Sequence, residues 1–289
     1  MQNANDPGPS AGGAEGDDQL SEGRRLGERI LEEAPRLGLD DEFTFACHPG
    51  VSCFGKCCAD VNIALTPYDV LRLRKRLGVT SSEFLSKYTL VPFTQDQKLP
   101  VPLLKMRDDE TKSCHFVSDG KCTVYEDRPW ACRMYPVGLA SPQGDSSEKP
   151  FYFLLEEEGC MGFGEKRTLT IRGWIEDQEI AKYDEMGGLF QPLLFDARLA
   201  DEDRQLDPKQ MSMFWMSTYD LDAFRRFIFE SSFFDRFEVS EETIEALRED
   251  DEALMRFAFR WLAYALSGKP TLKVKDGKQN EGANPERQS

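Results

Sequence analysis

The chain has 289 residues, 36 Lys+Arg against 52 Asp+Glu, and a net charge of −16. That length buries a substantial core without help from disulfides, and 40% hydrophobic with 30% charged residues is the composition of a folded globular chain. The negative charge excludes general affinity for nucleic acid or an anionic membrane surface, both of which reward Lys and Arg.

In chain order, residues 1–24 are rich in Gly, Asp, Glu, Ser and Pro. They have too little apolar content to offset ordering, and are read as a disordered acidic tail. The first residues carry neither the basic nor the apolar part of a secretory signal. The most apolar stretch, Leu254–Leu266, contains Arg256 and Arg260 and falls short of the roughly 20 apolar residues that span a bilayer. The expected location is therefore the reducing cytoplasm, with no membrane and no nucleic acid as partner and a protein partner left open.

Region 42–165 is read as a cysteine-cluster metal-binding domain of short strands, turns and short helices. Thr66 is an N-cap before Pro67 and an amphipathic run that stops near Gly78. Thr80-Ser81-Ser82-Glu83 is a capping box for a second helix through Tyr88. Asp127 is placed as the cap of a short helical turn with Pro129 in its first turn. Ser141–Pro150 reads as an exposed loop and Phe151–Leu155 as a buried strand.

Region 166–267 is read as helical, with helices over Gly173–Met186, Pro208–Ser217, Leu221–Ser231, Glu241–Glu249 and Asp251–Ser267. Phe224, Phe227, Ile228, Phe257, Trp261, Leu262 and Ala265 recur at helical spacing, the pattern of a packed core. Residues 268–289 are taken as a second disordered tail. The fold class expected is α+β: an irregular Cys-rich metal-binding domain packed against a mainly α-helical C-terminal region.

Chemistry concentrates in the cysteines. All eight lie between positions 47 and 160: Cys47, Cys53, Cys57 and Cys58, then Cys114, Cys122, Cys132 and Cys160. In a reducing compartment such density points to ligands or redox groups rather than disulfides. Thiolate is a soft donor that suits zinc, iron and iron–sulfur clusters. Gly55 offers freedom in φ for a tight turn between ligands. Arg128 and Arg133 flank Cys132 and are candidate cofactor-binding residues that balance thiolate charge. Adjacent Cys57 and Cys58 point to opposite faces if extended, so they are expected to serve different ligand sets, or one ligates while the other packs. Two four-ligand sites or one larger cluster remain open, with His48 and His115 as substitute ligands.

The combination of Phe45-Ala46-Cys47, Cys53-Phe54-Gly55-Lys56-Cys57-Cys58, Ile63–Val70, Cys114-His115-Phe116, Gly120–Pro129, Cys132-Arg133-Met134-Tyr135-Pro136 and Cys160-Met161-Gly162 resembles the YkgJ-type cysteine-cluster proteins, which carry a zinc- or iron-chelating domain. The resemblance implies that all eight cysteines belong to the metal set. The first cysteines are spaced more widely here than in the family's usual arrangement. Flagellin lysine N-methylases, associated with an iron–sulfur cluster, look like distant relatives by their cysteine pattern.

No dinucleotide fingerprint, Walker loop, CxxxCxxC triad or Ser/His/Asp set is visible. The expected function is metal binding: an iron–sulfur cluster or iron ions held for electron transfer or redox-dependent modification of a partner. The alternative is a zinc-stabilised interaction module without catalysis. Whether the chain is an enzyme is left open.

Overall fold

A computed structural model describes residues 32–92, 99–140, 149–194 and 206–275. The N-terminal acidic tail, most of the 141–150 loop and the end of the second tail lie outside them. About half of the described chain is helical and the strands form small antiparallel pairs, so the fold is α+β. Among the described residues no helix is long and apolar enough to cross a membrane.

Local capping chemistry sets the first helices. Helix α1 (Pro67–Leu77) begins where the Thr66 hydroxyl accepts the Asp69 N–H and the Asp69 carboxylate accepts the Thr66 N–H. It ends at Gly78, left-handed at φ 65°. Helix α2 (Ser81–Tyr88) repeats the box with Thr80 and Glu83. Helix α3 (Trp130–Met134) follows a 3₁₀ turn over Tyr125–Asp127. Asp127 does not serve as the expected cap; its carboxylate accepts Arg72 Nε and Nη2 at 2.8 and 2.6 Å.

Beyond this point the chain departs from one expectation and keeps several. The helix expected over Gly173–Met186 is two: α4 (Ile171–Asp177) and α5 (Ala181–Leu194). Glu179 between them takes a φ of 52°, a left-handed conformation that ends the helical hydrogen bonding. Helices α6 (Pro208–Thr218) and α7 (Leu221–Glu230) fall within a residue of their expected ends, and the short α8 (Phe233–Arg236) was not foreseen. Helices α9 (Glu241–Glu249) and α10 (Asp251–Ser267) fall at their expected ends, capped by Ser240 and Asp250.

The chain forms two compact units, each assembled from three segments. One is Met1–Ala64, Val91–Thr123 and Trp130–Ala181; the other is Leu65–Leu90, Val124–Pro129 and Lys182–Ser289. Both units draw on segments from either side of the Cys-rich stretch's helices, so they interleave along the chain.

In the first unit lie strands β1 (Glu42–Thr44), β2 (Val117–Ser118), β3 (Lys121–Cys122), β4 (Val137–Ala140), β5 (Phe151–Leu154) and β6 (Thr168–Thr170). The antiparallel pairs are β1 with β6, β2 with β3, and β4 with β5. Phe43, Phe45, Met134, Val137, Ile171, Trp174 and Ile180 form the core beneath them. The rings of Phe45 and Trp174 meet edge to face at 5.6 Å, and the Trp174 indole N–H donates to the Met134 carbonyl at 2.9 Å. These residues adjoin Cys47 and Cys132 in sequence, so the core anchors the segments that carry thiols.

The second unit holds α1, α2 and the helices from α5 onward. Phe224 and Phe227 lie 5.5 and 5.2 Å from the Trp261 ring; with Ile228, Phe257 and Leu262 buried, the stripe read as core is core. Strands β7 (Phe237–Glu238) and β8 (Lys273–Val274) pair antiparallel. The chain therefore stays ordered past Gly268, contrary to the tail reading, because Leu272 is buried and the 273–274 backbone finds a partner strand.

Charge explains why α1 and α2 join this unit. Asp251 accepts Arg74 Nη2 at 2.7 Å and Arg225 Nη2 at 2.6 Å, and Asp222 accepts the Ser81 N–H and hydroxyl. Burial works against the Asp251 carboxylate, but the Arg225 hydrogen bond and the charges of Arg74, Arg225 and Lys75 outweigh it and hold its carboxyl below the usual range. Its stabilising contribution is complete above the ordinary carboxylate pKa of about 4 and fades as pH falls through the depressed value. Asp251→Ala leaves two arginines without this partner and is expected to cost about 3 kcal/mol in urea unfolding at pH 7; a loss under about 0.5 kcal/mol, the scale of an ordinary surface substitution, would refute this role.

Candidate metal centre

All eight cysteines fall in the first unit. Cys47 follows the core residues Phe45 and Ala46. The Ala46 N–H donates to the Gly162 carbonyl at 3.1 Å, which sets the Cys47 segment beside the turn carrying Cys160. Gly162 permits this approach, since a Cβ there would lie 2.5 Å from the Phe45 ring and 2.9 Å from the Ala46 oxygen. The Met161 N–H donates to Cys53 Sγ at 3.2 Å.

Gly55, at φ 77°, turns the chain into a 3₁₀ turn over Lys56–Cys58. From there the Cys58 carbonyl accepts the Cys114 N–H at 2.8 Å. Cys122 stands opposite Val117 in the β2–β3 pair, Cys132 lies in α3, and Cys160 borders the aromatic core. A Cβ on Gly55 would lie 2.7 Å from the Gly120 carbonyl oxygen. Gly55→Ala combines that backbone clash with an unfavourable left-handed φ, each of order 1 kcal/mol or more. It is expected to lower metal retained per chain after gel filtration while the far-UV helix signal stays unchanged; full retention would show that the turn is not needed.

None of the eight forms a disulfide and none is fully buried. Cys57 and Cys58 are not extended and splayed as expected. The 3₁₀ turn lets their thiols hydrogen-bond to each other. The bond from Cys58 is the main force that brings the Cys57 thiol down to about 6, against the opposing effect of burial. The same bond, then burial, then the negative charges of Cys57, Cys132 and Cys114, push Cys58 up. Burial and the charge of Cys122 push Cys114 up, against a hydrogen bond from the Phe116 backbone and the Arg107 charge. Thiols that oppose one another's ionisation are a donor set that a cation relieves, because a bound metal ion deprotonates its thiol ligands outright. The donor chemistry thus fits zinc, iron or a cluster. Among the described residues no group of three or more Cys, His, Asp and Glu side chains forms a ready-made ion site, so the fit rests on donor type.

The surrounding residues only partly follow expectation. Arg133 is buried and its Nη1 donates to the Gln178 carbonyl at 2.7 Å. Arg128 belongs to the second unit, where its guanidinium stacks 3.7 Å from the Tyr125 ring and donates to the Tyr125 carbonyl; the two arginines therefore do not share the cysteine unit. His48 accepts the Gly50 N–H on Nδ1 at 3.1 Å and faces Glu165 through Nε2 at 3.3 Å, so both ring nitrogens have protein partners. The His115 carbonyl accepts Arg107.

Arg107 escaped the sequence reading. Its guanidinium also reaches the Val117 carbonyl at 2.8 Å and Ser113 Oγ at 3.3 Å, bracing the loop that carries Cys114; no motif marks it. Burial and the charges of Cys160, Cys57 and Glu157 push the Tyr135 phenol above the ordinary range.

Residues 46–172 match the CxxCxxCC family model, described as "Putative zinc- or iron-chelating domain". Neither the curated proteins nor the solved structures hold a match. The matched span contains all eight cysteines, and metal binding of the zinc- or iron-chelating kind is its property.

Proposed function

Because the chain belongs through residues 46–172 to the YkgJ-type cysteine-cluster family, we propose that Cys47, Cys53, Cys57, Cys58, Cys114, Cys122, Cys132 and Cys160 hold an iron–sulfur cluster or iron ions. The centre serves electron transfer or redox-dependent modification of a partner in a reducing, cytoplasmic setting. Iron supplies one-electron chemistry there; the protein supplies thiolate ligands, hydrogen bonds to sulfur and compensating charge. Arg133, beside Cys132, and Arg107, beside Cys114, are the cations assigned to that compensation.

The observation that supports this reading most is the contact between the Cys57 and Cys58 thiols, with Cys58 in the field of Cys114 and Cys132. Two neighbouring residues reach a single tetrahedral ion only through a strained ring. They suit different metal atoms of one polynuclear centre. Iron and acid-labile sulfide in anaerobically purified protein, with a visible spectrum that bleaches on reduction, are the expected results.

Zinc without sulfide, in a colourless protein, would replace this reading with a second one, in which the metal braces an interaction module. The brevity of β2 and β3 and the lack of any buried residue in the Lys56–Cys58 turn favour it. A closed thiolate zinc site can contribute about 10–16 kcal/mol to folding such a region.

A further inference from the structure

The turn that follows Cys160 presents a backbone donor to a different cysteine: the Met161 N–H donates to Cys53 Sγ at 3.2 Å. Met161 is the first residue of the 3₁₀ turn Met161–Gly164, so no carbonyl within the turn can accept its N–H. Bonds that do not involve sulfur fix this turn. The Cys160 N–H donates to the Glu157 carbonyl at 3.0 Å, and the Gly162 carbonyl accepts the Ala46 N–H at 3.1 Å and the Glu165 N–H at 3.3 Å. Gly162 is buried, so close to the Phe45 ring that a Cβ would not fit between them. The direction of the Met161 donor is therefore set by the aromatic core. Its side chain, by contrast, is 51% exposed, so the residue acts here through its backbone.

We infer that Met161 is a positioning residue of the metal centre, whose backbone N–H holds the Cys53 thiolate in a fixed direction and draws electron density from its sulfur. The inference rests on the reading of Cys53 as a ligand. A bound metal ion keeps its thiol ligands ionised, and a hydrogen bond to an ionised acceptor is roughly twice as strong as one between neutral groups. Partners outside the ligand shell orient ligands and tune the metal in this way, and losing one costs roughly 10- to 100-fold in affinity. The same bond ties the segment bearing Cys53 to the segment bearing Cys160 at the sulfur itself.

The test removes the donor and leaves the turn. Proline has no N–H, and its fixed φ suits the first position of a helical turn. Cys160 before it is already extended, at φ −76° and ψ 107°, the kind of conformation that a following proline favours. The full-length chain, Met161→Pro and Met161→Ala are each loaded with cobalt(II) alone. Without the hydrogen bond sulfur gives up an electron more readily. The thiolate-to-cobalt charge-transfer band of Met161→Pro is therefore expected at longer wavelength, with cobalt bound about 10-fold more weakly and at unchanged stoichiometry. Alanine in place of proline restores the N–H without the side chain, so Met161→Ala is expected to return both band and affinity to those of the unsubstituted chain. A Met161→Pro variant with the same band and affinity as Met161→Ala would overturn the inference and leave the metal centre standing. Absence of any thiolate-to-cobalt band in the unsubstituted chain would instead overturn the metal reading itself. Should Met161→Pro not fold, the bond is read on the unsubstituted chain loaded with NMR-active cadmium. There a scalar coupling through sulfur from the Met161 amide proton to the metal is expected, and its absence would overturn the inference.

Discussion

Cys58→Ser is expected to strip most of the bound metal from the chain while leaving its helices intact. Cys58 hydrogen-bonds to the Cys57 thiol, lies in the field of Cys114 and Cys132, and accepts the Cys114 N–H on its carbonyl. It therefore touches or feels three other candidate ligands, its neighbour Cys57 and two from distant stretches of sequence. Serine preserves the size of the side chain, but its hydroxyl is a harder donor that stays protonated at neutral pH, so the soft-metal site loses a ligand. Cys58 is not part of the hydrophobic core, so far-UV circular dichroism should hardly change. Cys57→Ser is expected to act alike, and the double variant to add little, as the proposal that both thiols serve one centre requires. Partial losses that sum in the double variant, measured as metal per chain after gel filtration, would instead establish two independent sites.

Removing the metal from the loaded full-length chain is the second large effect expected, and it should be confined to one unit. The stretches around Cys57, Cys58 and Cys122 have little regular structure to hold them. Strands β2 and β3 are two residues each, and the Lys56–Cys58 turn buries no residue. A metal contribution of about 10–16 kcal/mol matches or exceeds the roughly 5–15 kcal/mol by which whole domains are stable. The thiolates left behind repel one another. In the other unit α10 buries Leu254, Met255, Ala258 and Leu262 completely, and none of the cysteines lies there. Hydrogen exchange after chelation should show lost protection over 47–60 and 106–123 and retained protection over α6 to α10. Uniform protection before and after chelation would show that the metal carries no structural weight.

Much of this protein was legible in its sequence, for a reason common to each success. Thr66 with Asp69, Thr80 with Glu83, Gly78 and Gly268 act on the backbone within four residues of themselves. Their chemistry needs no tertiary partner to set a helix end. The phase of Phe224, Ile228, Trp261 and Leu262 likewise names a buried face before that face is seen. Eight cysteines within one stretch pointed to metal binding, the property of the domain matched over residues 46–172, because thiols at that density serve little else outside an oxidising compartment.

What only the tertiary structure decided depends on groups that every residue carries, or on partners far away in sequence. The Met161 N–H reaches a cysteine sulfur 108 residues away, and no side chain announces a backbone donor. The break at Glu179 is a backbone conformation in a residue with no special preference for it. Strand β8 exists because β7 offers it a partner. Helices α1 and α2 leave the cysteine unit because Arg74 and Ser81 find Asp251 and Asp222 on α10 and α7. Residue type and short-range spacing thus determined the helix ends and marked the cysteines as candidate ligands. The meeting of Cys58 with Cys114, and of Cys53 with Met161, was decided by long-range packing, whose energy belongs to pairs of segments and is written in neither one alone.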